Sequence, residues 1–462
     1  MTVQAAPPWT ASLARFAAGA SAAAFPARAR ALAVDAITDG VACALAGTAE
    51  PLVAPLLACV ATPPDGPAAL LGLGRRAAPP DAALVNGTLM HALDYDDTNH
   101  PGYAHPTAAI LPALLAAAAL RPEATGAELV TGYIVGIEVV GKLGAALNTA
   151  HYKRGWHATS TFGSLAAAAA AASLLRLDEA EAAVALAIAA SSASGLRANF
   201  GTMTKPLHAG LAARNGILAA MLARVGWSAN PAALEHPAGY VAAFNGDAEV
   251  RPAPLAQWGE ALEILSDYGI ALKPYPSCGA THTAIEAAIL LRAEIGDPAR
   301  IRRIRCGVSE MHARPLIYVE AASGLQGKFS LHYCVAAALL DGVVDLGSFR
   351  DARVHDPRLQ ALVPRIAMEV DERVRHDPEF ACVLELELED GSRHERLVPL
   401  AMGKPARWFD AARLGAKLAD CLRHAAPQAT PAEAAALFAR LQAIDGPQPA
   451  HHLAEGLPGA AR

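Results

Sequence analysis

The sequence predicts a mainly α protein: a large all-helical domain with a smaller α+β domain set into it. Three observations carry this. Ala-rich segments with apolar residues at helical spacing fill the first 267 positions, with no strong β-branched alternation. Period-2 alternation then enters between 268 and 403. Helical spacing returns from 404 to 462. The expected layout is an all-helical domain over 1–267 and 404–462 and an α+β domain over 268–403.

The elements follow in order. ARARALAVDAITDGVACALAG keeps helical spacing and stops on Gly47. GAELVTGYIVGIEVVGKLGAAL and DEAEAAVALAIAASSASGL continue the pattern. The longest apolar runs, such as AAILPALLAAAAL, fall short of the roughly 20 residues of a spanning helix, so core helices and no membrane partner are expected. IRRIRCGVSE, IAMEVDE and ACVLELELEDGSRHERLVPL read as strands, the last a hairpin turning at Asp390-Gly391. Helices THTAIEAAILLRAEIG and KFSLHYCVAAALLDGVV lie between them. AARLGAKLADCLRH and TPAEAAALFARLQAI are helices expected to pack back on the first domain. The tail DGPQPAHHLAEGLPGAAR is expected to fray.

Composition narrows the function. The chain of 462 residues is 53% hydrophobic and 18% charged, enough to bury a sizeable core. Net charge is -6 without a Lys/Arg block, so no nucleic-acid partner is expected. The seven Cys form no C-x-x-C pair, which argues against a zinc ribbon, an iron–sulfur motif or a disulfide framework. A reducing cytoplasm fits, and the N-terminus lacks the pattern of a signal peptide.

Five polar loops each open an apolar helix. HALDYDDTNHPGYAHPT crowds Asp94, Asp96, Asp97, His100 and His105 before AAILPALLAAAAL. GWHATSTFG brings His157, TMTKPLHAG brings Lys205 and His208, KPYPSCGATH brings Lys273 and His282, and QGKFSLH brings Lys328. A helix N-terminus carries unpaired N–H groups and partial positive charge, so it attracts anions, and Lys or His nearby adds to this. Neither G-x-x-x-x-G-K-[ST] nor G-x-G-x-x-G occurs, which tilts the ligand from nucleotides to carboxylates. His, Lys and Asp together suit proton transfer beside a carboxylate: dehydration, decarboxylation or epimerisation.

Each residue has a plainer reading. Asp94, Asp96 and Asp97 are oxygen donors that suit magnesium, but DYDDT is no magnesium box. One Asp is expected to cap the next segment, the others to hold His or backbone, and no metal is expected. His91, between apolar residues, reads as a core histidine. Lys205 would be a surface residue elsewhere, but the first turn of a helix is a poor place for a merely solvated cation.

The stretches DAITDGVACALAG, HALDYDDTNHPGYAHPTAAILPALLA, GWHATSTFG, MTKPLHAGLAARNG, KPYPSCGATHTAIEA and KFSLHYCVAAALLDG resemble, in this order, the MmgE/PrpD family. Its members include 2-methylcitrate dehydratases, cis-aconitate decarboxylase and iminodisuccinate epimerase. The resemblance implies an all-helical domain with an α+β lid, a homodimer, a small polycarboxylate substrate and catalysis with no metal or organic cofactor. It implies Asp94, His105, His157 and Lys205 as catalytic and Thr98, Lys273, His282 and Tyr318 as substrate-binding residues. NHPGYAH has one residue more than the decarboxylase branch, and ASGLQGKFS departs from its pattern. Dehydration of a 2-methylcitrate-like acid is therefore the leading expectation, with epimerisation of an imino or amino dicarboxylate and cis-aconitate-type decarboxylation as alternatives. A helical binding protein without turnover is the remaining one.

Overall fold

The structure is a computed structural model that describes residues 8–310 and 315–459. The chain is mainly α, with 56% of the described residues in helices. It divides into two compact units. One comprises residues up to Leu272 together with those from Asp410 onward; the other is Lys273–Phe409.

The first unit is built from long, deeply buried helices. Ala158–Leu174 buries every residue except Ser173. Its Ala run is what permits this, because methyl side chains let neighbouring helices come close at little entropic cost. The helices Pro79–His91 and Thr204–Arg224 also approach closely. A Cβ added to Gly87 would meet Gly210 Cα at 2.8 Å, so the crossing requires glycine. This crossing brings the end of one helix, at His91, beside the start of the other, at Lys205 and His208.

Three expectations change here. The unit is not all-helical: Ala68–Leu70 pairs with Arg75–Ala77, and Thr98–Asn99 pairs with Ile270–Ala271, both antiparallel. Gly126–Leu147, at 22 residues, is long and apolar enough to span a membrane, yet 94% of its apolar window is buried. Glu138 and Lys142 explain its place inside: Glu138 accepts from the backbone N–H groups of Gly259 and Glu263 and lies 3.6 Å from Lys142. A buried charge is tolerated when it is paired and hydrogen-bonded in this way. The tail is not frayed over its described part either. Gly126 and Ala127 donate to the carbonyls of Gln448 and Gly446, and Ala450 donates to Ala124. Residues 460–462 of that stretch lie outside the described residues.

The second unit holds a four-stranded sheet. Ile301–Val308 runs parallel to Ile366–Val370 and antiparallel to Cys382–Leu388, which pairs in turn with Arg393–Val398. Gly391, at φ +83°, makes the hairpin turn. The helices His282–Ile295 and Leu331–Asp341 share one core with the sheet, including Ile285, Leu291, Val335, Ile304 and Leu384.

Candidate active site

Four helix ends of the first unit meet. His91 ends Pro79–His91, His105 lies two residues before Thr107–Leu120, His157 precedes Ala158–Leu174, and Lys205 and His208 sit in the first turns of Thr204–Arg224. The Asp94–Asp97 loop runs among them. Its first residue, Asp94, adopts φ +55°, a left-handed conformation that Asp tolerates better than most residues.

Lys205 Nζ donates to Asp94 Oδ1 at 2.6 Å, with both side chains largely buried. His105 lies between two carboxylates: Nε2 is 3.6 Å from Asp94 Oδ1, and Nδ1 is 3.6 Å from Asp96 Oδ2. Its backbone N–H donates to Thr159 Oγ1. His91 Nδ1 lies 2.9 and 3.0 Å from the two oxygens of Asp96. A carboxylate accepts only, so the hydrogen of a neutral His91 sits on Nδ1. The rings of His91 and His105 are 4.4 Å apart and those of His91 and His157 6.0 Å apart. His91 is thus a buried histidine anchored through Nδ1, with no hydrogen-bond partner at Nε2 among the described residues, and a wall of the cluster.

His157 sits in a different electrostatic setting. Burial holds its ring well below the usual imidazole range, and the charges of His91, Lys205, His208 and His105 add to this. Its Nδ1 is 3.1 Å from His208 Nδ1, and Phe200 packs edge-on against it. His105 is therefore flanked by negative charge, while His157 is kept neutral. A proton donor and a proton acceptor need that contrast.

Asp97 does another job. Its carboxylate accepts from the N–H of Thr107, the first residue of the following helix. Burial, then the neighbouring Asp96, pushes Asp97 well above the usual carboxylate range. The ligand atoms of His91, Asp94, Asp96 and His105 lie within 4.8 Å of one another, so these four could hold a metal ion. Lys205 against Asp94 already supplies positive charge there and opposes a second cation.

The remaining expected residues sit on other elements. Thr98 is half-buried and pairs with Ala271 in the short ribbon. Lys273 and His282 belong to the second unit, both buried. There His282 Nε2 donates to the Ser277 carbonyl. Tyr318 is half-buried in an irregular segment of that unit. A groove of about 550 Å³, lined by Phe25, Arg30 and Asp445 among others, holds none of these groups.

Sequence reasoning missed the support of the loop. Lys417 Nζ donates to the Tyr95 carbonyl at 2.8 Å, lies 2.6 Å from Asp39 Oδ1 and stacks 3.9 Å over the Tyr95 ring. Burial opposes its charge, but Asp39, helped by the Cys43 and Cys421 thiols, outweighs burial and raises Lys417 above the ordinary lysine range. Asp39 in the run DAITDGVACALAG was the available signal, because a carboxylate flanked by Ile37, Val41 and Ala42 in a core helix needs a partner.

Comparison with known proteins gives the family. Residues 11–253 match the MmgE/PrpD N-terminal domain and residues 275–442 the MmgE/PrpD C-terminal domain. Mouse cis-aconitate decarboxylase is 32% identical over 338 residues, covering 69% of this chain and 66% of the mouse protein. The human protein of that name is 33% identical over 306 residues, covering 64% and 62%. The one from Aspergillus terreus is 26% identical over 398 residues, covering 80% of each. The matches span just under two thirds of the mouse and human relatives. With both domains matched in order over most of its length, the chain belongs to the MmgE/PrpD family.

Proposed function

We propose that the chain is a lyase acting, without metal or organic cofactor, on a small di- or tricarboxylate, and that it dehydrates a 2-methylcitrate-like hydroxy acid. The observation that carries this is the pairing of a neutral, buried His157 with His105 between Asp94 and Asp96. In the reaction His157 takes the proton from the carbon next to a carboxylate. The C–H electron pair moves toward that carboxylate as an enediolate, which Lys205 stabilises. The pair returns to form the double bond as the C–O bond breaks, and His105 protonates the leaving hydroxyl to water. Asp94 orients His105. The family resemblance adds Thr98, Lys273, His282 and Tyr318 as substrate contacts and a homodimer as the working form, and the scattered cysteines fit a cytoplasmic location.

Decarboxylation is the second reading, favoured by the names of the relatives. The electrons of the broken C–C bond would then stay on carbon, and His105 would protonate it. The two readings separate in one experiment. EDTA-treated protein is mixed with 2-methylcitrate and, separately, with cis-aconitate. Rising ultraviolet absorbance with the first supports dehydration, since the product is a conjugated acid. A flat trace with carbon dioxide released from the second moves the assignment to decarboxylation. If both fail, deuterium entering a recovered iminodicarboxylate in heavy water identifies an epimerase. Inactivity in all three overturns the proposal.

A further inference from the structure

The contact between His157 and His208 is unusual in its atoms. Two Nδ1 atoms face each other at 3.1 Å. Burial is the first cause that lowers both rings, which favours the neutral form of each. A single hydrogen then lies between the two nitrogens: one ring donates, and the other accepts. Whichever way it lies, His208 fixes which nitrogen of His157 carries a hydrogen.

The pair is held from outside as well. His157 N–H donates to the Gly195 carbonyl at 3.0 Å. Gly195 has φ +116°, and a Cβ there would meet Ser160 Cβ at 2.9 Å and His208 Cγ at 3.4 Å. Ser160 and the left-handed φ therefore disfavour a side chain at this position, and the segment runs beside the His208 ring with a glycine. Phe200 covers the edge of His157, with ring centres 4.9 Å apart.

We propose that His208 is a positioning residue for His157, accepting the Nδ1 hydrogen of His157 so that Nε2 keeps its lone pair for substrate. The direction of the hydrogen rests on reading His157 as the base. Neutral imidazole left to itself favours the hydrogen on Nε2, the wrong tautomer for a base acting from Nε2. His208 reverses that preference by offering an acceptor at Nδ1, the role a carboxylate plays in a Ser-His-Asp triad.

The test uses full-length protein with 15N-labelled histidine, without substrate. Imidazole nitrogen shifts, assigned to His157 by comparison with His157→Gln, give its tautomer directly. The expected result is a hydrogen on Nδ1 in the wild type, its transfer to Nε2 in His208→Leu, and its return to Nδ1 in His208→Asn, whose amide oxygen can replace the accepting nitrogen. A wild-type His157 protonated at Nε2 overturns the proposal, whatever the fate of the leucine variant. So does a tautomer that His208→Leu leaves unchanged. Turnover is the second readout: kcat falls about 10²–10⁴-fold in His208→Leu, the scale of a wrong-tautomer defect, and recovers substantially in His208→Asn. An inactive wild type would count against the proposed reaction while leaving the tautomer result standing.

Discussion

Replacing Lys417 by Met tests how the Asp94–Asp97 loop is supported. The side chains of Lys417 and Asp39 are 2% and 0% exposed, and their charged atoms are 2.6 Å apart. Met preserves much of the stem and removes the charge. Asp39 is then left buried without its counter-ion, which typically costs about 3–5 kcal/mol. The lost bond to the Tyr95 carbonyl is of the order of 1–3 kcal/mol, but these effects share one ammonium and do not add. The expected total stays at about 3–5 kcal/mol. Urea unfolding followed by circular dichroism at neutral pH measures it. The double variant Asp39→Ala with Lys417→Met removes both charges and should unfold later than the single variant. A single variant within about 1 kcal/mol of wild type, the range of exposed pairs, would refute the reasoning. So would a double variant no more stable than the single.

Other outcomes follow from the same geometry. Lys205→Ala and His157→Ala should each lose most turnover while keeping native circular dichroism; full activity in both would remove this cluster as the site. Burial depresses His157, so its unfolded form takes a proton first as pH falls. Its contribution is intact above the ordinary imidazole value of about 6.5 and erodes below it, a pH dependence that His157→Gln should flatten in unfolding titrations. Glu263 behaves oppositely: burial, then Glu138, raises it from 4.5 to about 7. Stability is then lost as pH rises between those values, and Glu263→Gln should recover at most about 3 kcal/mol at pH 8 and little at pH 4.

Much of the helical order was legible because long amphipathic or Ala-rich runs constrain the chain locally. Ala158–Leu174 and Gly126–Leu147 show this, with Thr125 and Glu128 capping the latter as their spacing suggests. The short ribbon Thr98–Asn99 with Ile270–Ala271 was not legible, since two-residue strands leave no alternation to read. In the site, the polar loops announced Asp94, His105, His157 and Lys205. Their distances depended on the Gly87–Gly210 crossing, which joins segments far apart in sequence. His91 shows the limit of local context. Apolar neighbours pointed correctly to burial, but a buried histidine can also line a reaction chamber.

The bond between Lys417 and Tyr95 spans 322 positions. During synthesis the aspartate-rich loop leaves the ribosome long before its cation exists. At the usual 5–20 residues per second, the delay is roughly 15–60 s. Throughout that interval, Asp39 must stay hydrated or be shielded by other groups, because native burial without Lys417 is unfavourable. The nascent helices can form and collapse early, but the site can set only when the last segment arrives. The contacts of Lys417 with Tyr95 and Asp39 can therefore form only after residue 417 has been made, so translation sets the earliest moment at which this loop gains its native support.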